Sequence, residues 1–312
     1  MPALTRRGFV QHSAMAVAGA ALPARAVWAA RGAARGGPLE LVFFTDVHTR
    51  LEWDTPLALD KAARAINAHK ADLVVIGGDL ITEGFESSAA KVEPRWDAYM
   101  EMHSSLRGPV ATVLGNHDLV AVEPSDGSPP AADPRAVFRS RIGVDRTYRS
   151  LDADGYHLIL LDSTFITGDE LKYHGRIDPE QLAWLAADLA RIDPATPLVV
   201  ATHIPLLTGF YQATEGATAP APANRVMVNN REVLDLFADH NLLLVLQGHL
   251  HVEEMLRWRG TTFITGGALC GRWWRGPWQG TPEGYGLLTL RKERVEWQYL
   301  SYGWQAKRPP NQ

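Results

Sequence analysis

The sequence predicts a single-domain α/β protein built on two packed β-sheets. Short apolar runs alternate with stretches of helical periodicity between Leu39 and Leu246. After Thr261 the pattern changes to closely spaced strands joined by short turns. Polar, glycine-bearing motifs recur where the apolar runs stop, as they do where α/β strands end in loops.

The elements follow in order. Leu39–Thr45 (LELVFFT) is a short apolar run ending in polar residues and reads as a buried strand. Leu59, Ala63 and Ile66 recur at helical spacing, and Leu73–Ile76 is the next strand. Val110–Leu114, Tyr156–Leu161 and Leu198–Ala201 are three more. A helix before the last of these is well signalled. Asp178 caps it, Pro179 fits its first position, Gln181 can reach back to the cap, and Leu182, Leu185, Leu189 and Ile192 form its apolar face. Asn230 is expected to cap a helix running to about Asp239, followed by strand Leu242–Leu246. Thr261–Thr265, Gly284–Leu290 and Arg294–Leu300 read as antiparallel strands. Residues 122–135 and 212–224 are Pro- and Ala-rich loops; there is no internal repeat and no domain linker.

Composition sets the outer bounds. The 312 residues are 46% hydrophobic and 21% charged, which is globular and excludes disordered or collagen-like chains. A net charge of −4 gives no electrostatic footprint for a nucleic-acid polymer. The lone cysteine, Cys270, excludes an intrachain disulfide and reads as a small buried residue, so an exported form would depend on its core and on metal.

Export is expected from the first thirty residues. A basic start, an Ala-rich apolar run from Ala14 to Leu22 and the small-residue exit Ala24-Arg25-Ala26 make a signal peptide, too short in its apolar part to anchor in a bilayer. Thr5-Arg6-Arg7-Gly8-Phe9-Val10 resembles the twin-arginine export signal, with Gln11 departing from its usual Lys. That resemblance implies a periplasmic or secreted protein, exported folded by the twin-arginine machinery. The expected organisation is a signal peptide at 1–30, a flexible lead-in at 31–38, the domain at 39–305 and a tail at 306–312. Removing residues 1–30 takes Arg6, Arg7 and Arg25 and no acid, leaving 28 basic against 35 acidic residues, a charge of −7.

The chemistry sits at five strand ends: Asp46-Val47-His48, Gly77-Gly78-Asp79, Gly115-Asn116-His117-Asp118, Thr202-His203 and Gly248-His249-Leu250-His251. Imidazole with carboxylate suits Zn, Fe or Mn, and the absence of thiolate pairs argues against a structural Cys-type zinc site. Asp-x-His and His-x-His on an extended segment would point both side chains to one side. The glycines before Asp79, Asn116 and His249 permit sharp turns and close backbone approach.

This ordered set, D-x-H, G-D, G-N-H-D, H and G-H-x-H, resembles the calcineurin-like metallophosphoesterase family. The resemblance implies a four-layer α/β/β/α sandwich of two mixed β-sheets and two divalent or trivalent metal ions. Asp46, His48 and His251 would hold one ion, Asn116, His203 and His249 the other, and Asp79 would bridge them. His117 would face the substrate, with Asp118 orienting it from behind. Two cations about 3.5–4 Å apart lower the pKa of a water and clamp phosphate oxygens for in-line attack. His117 would protonate the leaving oxygen or steady the transition state. None of the seven ligand positions is missing, which favours a phosphomonoester or phosphodiester hydrolase over a non-catalytic, metal-stabilised secreted binding protein.

Within the family, Thr82 stands where the purple-acid-phosphatase branch has a Tyr ligand, and Asp79–Gly84 departs from the protein-phosphatase pattern. Gly78-Asp79-Leu80 through Gly84 is closer to the class III cyclic-nucleotide phosphodiesterase branch, whose relatives act on cyclic nucleotides, lipid head-group diesters and aryl phosphates. The expected partner is a small phosphoester. Arg272, Trp273, Trp274 and Arg275, with Trp278 just beyond, could form an aromatic cap on the second sheet. The alternative is a substrate wall, with Trp stacking on a base and Arg binding phosphate, and Asn116 is a further candidate for substrate contact.

Overall fold

The computed structural model describes residues 37–291 and 294–307; the expected export signal, most of the expected lead-in and the end of the expected tail lie outside them. The order of elements is β1 (Leu39–Phe44), α1 (Thr55–Ala68), β2 (Leu73–Ile76), α2 (Ala89–Ser105), β3 (Val110–Thr112), α3 (Ala136–Ile142), β4 (Arg149–Ala153) and β5 (Tyr156–Leu161). It continues with β6 (Thr164–Ile166), β7 (Tyr173–Gly175), α4 (Pro179–Leu189), β8 (Leu198–Thr202), α5 (Phe210–Thr214) and α6 (Asn230–Leu236). The last five elements are β9 (Leu242–Gln247), β10 (Glu254–Trp258), β11 (Thr261–Thr265), β12 (Gly284–Arg291) and β13 (Arg294–Ser301).

Two large mixed sheets face each other. One has strand order β13-β12-β1-β2-β3 and the other β10-β11-β9-β8-β5-β4. Strands β1, β2 and β3 run parallel, with the antiparallel pair β12–β13 added along β1, and β5, β8, β9 and β11 form a parallel centre flanked by antiparallel β4 and β10. Alternation along β1 explains the layering. Leu41 and Phe43 enter the core between the sheets with Leu158, Val199 and Leu244. Val42 and Phe44 face the opposite way, onto Leu59 and Ala62 of α1 and Trp96 and Tyr99 of α2. The second sheet's outer face packs on Leu185 and Leu189 of α4 and Val233 of α6. The result is the four-layer α/β/β/α sandwich of two mixed β-sheets.

Several local expectations change. The tail does not form one antiparallel unit: β11 joins the second sheet parallel to β9, while the β12–β13 hairpin extends the first sheet along β1. Helix α4 is capped as expected, Asp178 accepting from Gln181 N at 2.8 Å. The Gln181 side chain, however, pairs with both backbone groups of Asp162 at 2.8 and 2.9 Å, bracing the end of β5 rather than the cap. Asn229, not Asn230, is the N-cap residue of α6, and that helix stops at Leu236.

Candidate metal centre

Every predicted ligand stands in a loop leaving the carboxyl end of one of the parallel strands: β1 for Asp46 and His48, β2 for Asp79, β3 for Asn116, β8 for His203 and β9 for His249 and His251. Three of these strands belong to one sheet and two to the other, so the loops meet along the crest of the sandwich. All seven side chains are buried.

The paired motifs are not extended. Asp46, His48, Asp79, His249 and His251 all have positive φ, between 44° and 72°. Left-handed backbone at non-glycine residues is strained, and such strain gathers at functional sites. It also explains the pairing: Val47 and Leu250 drop into apolar clusters while the flanking side chains turn to the crest. Glycine is needed where the loops touch. A Cβ on Gly115 would stand 2.2 Å from Asp79 N, and one on Gly248 2.2 Å from Thr45 Oγ1.

The donor atoms form two groups that share one oxygen. In the first, His48 Nε2 lies 3.1 Å from His251 Nε2, and Asp46 Oδ1 lies 3.2 Å from His251 Nε2. In the second, His203 Nε2 lies 3.1 Å from Asn116 Oδ1 and 3.2 Å from His249 Nδ1. Asp79 Oδ2 stands between them, 3.5 Å from His48 Nε2 and 3.1 Å from His203 Nε2. Atoms bound to one ion at about 2.0–2.1 Å lie about 3.0–3.4 Å from one another, so these spacings fit metal coordination.

The tautomers fit as well. His203 Nδ1 donates to Gly77 O at 2.8 Å, His251 Nδ1 to Gly271 O at 2.7 Å, and His249 Nε2 to Asn224 O at 2.9 Å. Each carbonyl fixes the ring proton on the outer nitrogen and turns a lone pair inward, as metal-ligating histidines require. His48 differs: its Nδ1 is buried without a partner, and its loop is held instead by Trp274 Nε1, which donates to His48 O at 3.0 Å.

Electrostatics point the same way. Burial works against ionising Asp46 and Asp79, but the surrounding imidazoles outweigh it and hold both carboxyls below the ordinary range. Burial lowers His249 and holds His48 down to about 4, so these rings present neutral nitrogens. His203 is also buried, yet Asp79 beside it pushes it up to about 9. A proton held between His203 and Asp79 marks a position where positive charge is stabilised, and a metal ion would displace it.

His117 sits at the edge of this group, its ring 4.6 Å from that of His48 in a T-shaped contact. Its Nδ1 accepts from Glu83 N at 3.1 Å and its own N–H donates to Asp79 Oδ1 at 2.8 Å. Asp118 does not orient it. The Asp118 carboxylate accepts instead from Leu80 N at 2.7 Å and Gly115 N at 2.8 Å, tying together the loops that carry Asp79 and Asn116. Burial and the charge of Asp79 push Asp118 up to about 8.

The aromatic segment divides. Trp273 is half-buried with its ring 4.6 Å from His251, and Arg272 is exposed with its guanidinium 4.9 Å over Trp278. Trp274 is buried in the core and reaches the site only through its bond to His48 O, which removes it from the substrate wall. Gly77, Asn224 and Gly271, which fix three rings through backbone carbonyls, leave no side-chain signal in a sequence. Arg225, whose Nη1 comes within 3.5 Å of His249 Nε2, was also not legible. A cavity of about 450 Å³ opens beside His249 and His251, walled by Phe210, Tyr211, Arg225, Arg272, Trp273 and Trp278.

Comparison with solved structures places this architecture among known folds. The chain is similar to a dimetal phosphatase from Danio rerio, with a TM-score of 0.62 and 16% identity over 85% of this chain and 97% of that one. It is similar to GAP50, the anchor in the inner membrane complex of Plasmodium, with a TM-score of 0.55 and 14% identity over 87% and 86% of the two chains. A third similarity is to purple acid phosphatase PPD1 from yellow lupin seeds, with a TM-score of 0.53, 17% identity, and coverage of 85% of this chain and 52% of that one. At such identities the likeness is one of fold. No curated protein matches the chain in sequence. The family model for calcineurin-like phosphoesterases matches residues 39–253, a span that holds all seven candidate ligands and both parts of the crest, and the chain belongs to that family.

Proposed function

We propose that this protein is an exported phosphoester hydrolase that works with two metal ions. The observation that carries the reading is the pair of donor groups sharing Asp79 Oδ2, with ring nitrogens turned inward by backbone carbonyls. Family membership and the dimetal phosphatase of the same fold support it. Export rests on Thr5–Val10 and the apolar run behind it; a periplasmic fraction without the protein would refute that part.

Bound ions would lower the pKa of a water and offset charge on the phosphoryl oxygens. The residues of the chain do the rest. Asp46, His48 and His251 would hold one ion, Asn116, His203 and His249 the other, and Asp79 both. In the hydrolysis, oxygen from water bonds to phosphorus and the opposite ester P–O bond breaks. His117 steadies the leaving oxygen from Nε2. Its Nδ1 already accepts the Glu83 N–H, so the ring proton resides on Nε2, and a second proton on Nδ1 would set two donors face to face. His117 is therefore a hydrogen-bond donor to the departing oxygen, which takes its full proton from solvent, while the attacking water releases its own proton to solvent. Asn116, whose Oδ1 faces His203, has its amide nitrogen free to donate to a phosphoryl oxygen.

The stretch Gly78–Gly84 keeps the proposed relationship to the class III phosphodiesterase branch, and the substrate is a small soluble ester. The test is a panel on the metal-loaded protein: an aryl phosphate, a bis-aryl phosphate, cyclic AMP and a phosphocholine ester. Hydrolysis of at least one, lost in Asp79→Ala, is expected. Tight metal binding with none hydrolysed would instead indicate a non-catalytic binding protein.

A further inference from the structure

The 450 Å³ cavity beside His249 and His251 has a volume suited to a substituent of nucleoside size. Its walls come from two separate loops. One side is the segment around α5, where Phe210 and Tyr211 meet edge to face at 5.2 Å. The other is the turn carrying Arg272, Trp273 and Trp278. The loop that enters from α5 is locked to the centre, because Asn224 O accepts from His249 Nε2 and Arg225 follows directly.

Aromatic walls alone do not decide the ligand, since a cage of rings suits a quaternary ammonium group as well as a planar ring. Charge decides. Two guanidinium groups, Arg225 and Arg272, line this cavity against a single carboxylate, Glu215. Among the described residues neither arginine has a carboxylate within ion-pair distance, and Arg272 already covers the face of Trp278. The ring left open beside the ligands is Trp273, 4.6 Å from His251 and 5.9 Å from His48.

The geometry points to a substrate whose ester group is planar and carries a second anion of its own. The scissile phosphate sits at the crest, the planar group stacks on Trp273, and the second anion, a phosphate or carboxylate, is taken by Arg225 with Arg272. This proposal rests on the phosphoesterase reading and narrows it. It disfavours choline-type esters, whose positive charge meets two arginines.

Three diesters with one leaving group test it on the metal-loaded full chain: the p-nitrophenyl esters of phosphocholine, of thymidine 5′-phosphate and of thymidine 3′,5′-bisphosphate. The expected kcat/KM rises in that order, about tenfold or more at each step. Trp273→Leu should collapse the first step and Arg225→Gln the second. Calorimetric titration with phosphocholine, thymidine 5′-phosphate and thymidine 3′,5′-bisphosphate should give the same order in Kd. Equal kcat/KM and equal Kd for the three, or a phosphocholine ester that is preferred, would overturn the proposal and leave the phosphoesterase reading standing. The predicted order in Kd with no ester hydrolysed would uphold the cavity's selectivity and refute the hydrolase.

Discussion

His48 Nε2 and His251 Nε2 face each other across 3.1 Å, both buried, with the outer nitrogen of His251 already donating to Gly271 O. Two lone pairs at that distance repel, so without metal a proton must lie between them, on His48 Nε2, whose Nδ1 has no partner, or on His251, which Asp46 holds above its ordinary range against the cost of burial. Chelation should therefore lower Tm by on the order of 10 °C, with recovery on adding back Mn, Zn or Fe. A scanning-calorimetry trace indifferent to chelator would contradict this.

His117 and Asp79 should separate catalysis from binding. His117→Ala is expected to reduce kcat by about 10²–10³-fold, the cost of losing one donor to developing charge, with metal content retained, because no predicted ligand is removed. Asp79→Ala should lose metal and activity together. Elemental analysis beside the kinetics distinguishes them, and a His117→Ala protein that arrives metal-depleted would show the role to be misassigned.

Asp118 is a brace for backbone. Asp118→Ala would leave the buried N–H groups of Leu80 and Gly115 without their acceptor. Each such loss costs about 1–3 kcal/mol, so unfolding free energy should fall by several kcal/mol and metal affinity with it. A variant of wild-type stability and reduced kcat alone would restore the idea that Asp118 acts through His117.

Trp274 should behave differently from Trp273. Trp274→Phe removes the donor to His48 O, and such outer-shell losses typically weaken metal binding about 10–100-fold. Metal titration should detect this while KM ratios among substrates stay constant. A change in substrate preference would return Trp274 to the pocket wall.

The second sheet carries an acid-sensitive carboxylate, Asp188, away from the centre. Asp188 is buried; His157 Nε2 lies 3.0 Å from its Oδ2 and Arg191 Nη2 donates to its Oδ1 at 2.6 Å. Burial opposes ionisation of Asp188, but His157, Ser150 and Arg191 hold its carboxyl below the ordinary range. Its pKa is thus lower folded than unfolded, so its contribution is present above about pH 4 and is lost as pH falls through the folded value. Asp188→Asn should cost about 1–3 kcal/mol near neutral pH. That deficit, measured by urea unfolding in chelator, should shrink below about pH 4; one that stays constant with pH would contradict the account.

What could be read from the sequence was what side chains announce. Five ordered motifs placed Asp46, His48, Asp79, Asn116, His203, His249 and His251 at strand ends, and the strands themselves were legible as apolar runs. The tail was less so, because nothing local in β11 or β12 says which sheet each joins. Helix α2 was missed although Val92, Trp96, Tyr99 and Met102 line its buried face, since Pro94 interrupts the pattern as a breaker would. Asp118 was misread because its partners are amides of Leu80 and Gly115, and a backbone amide leaves no residue signature. The same limit hid the carbonyls that fix His203, His249 and His251.

The central claim is that seven side chains hold two ions through the shared carboxylate of Asp79. Titrating Mn or Zn into the chelated chain while following p-nitrophenyl phosphate hydrolysis tests it most directly. Activity should be absent without metal and rise to a break at two ions per chain. A break at one, or hydrolysis that persists in chelator, would contradict the account.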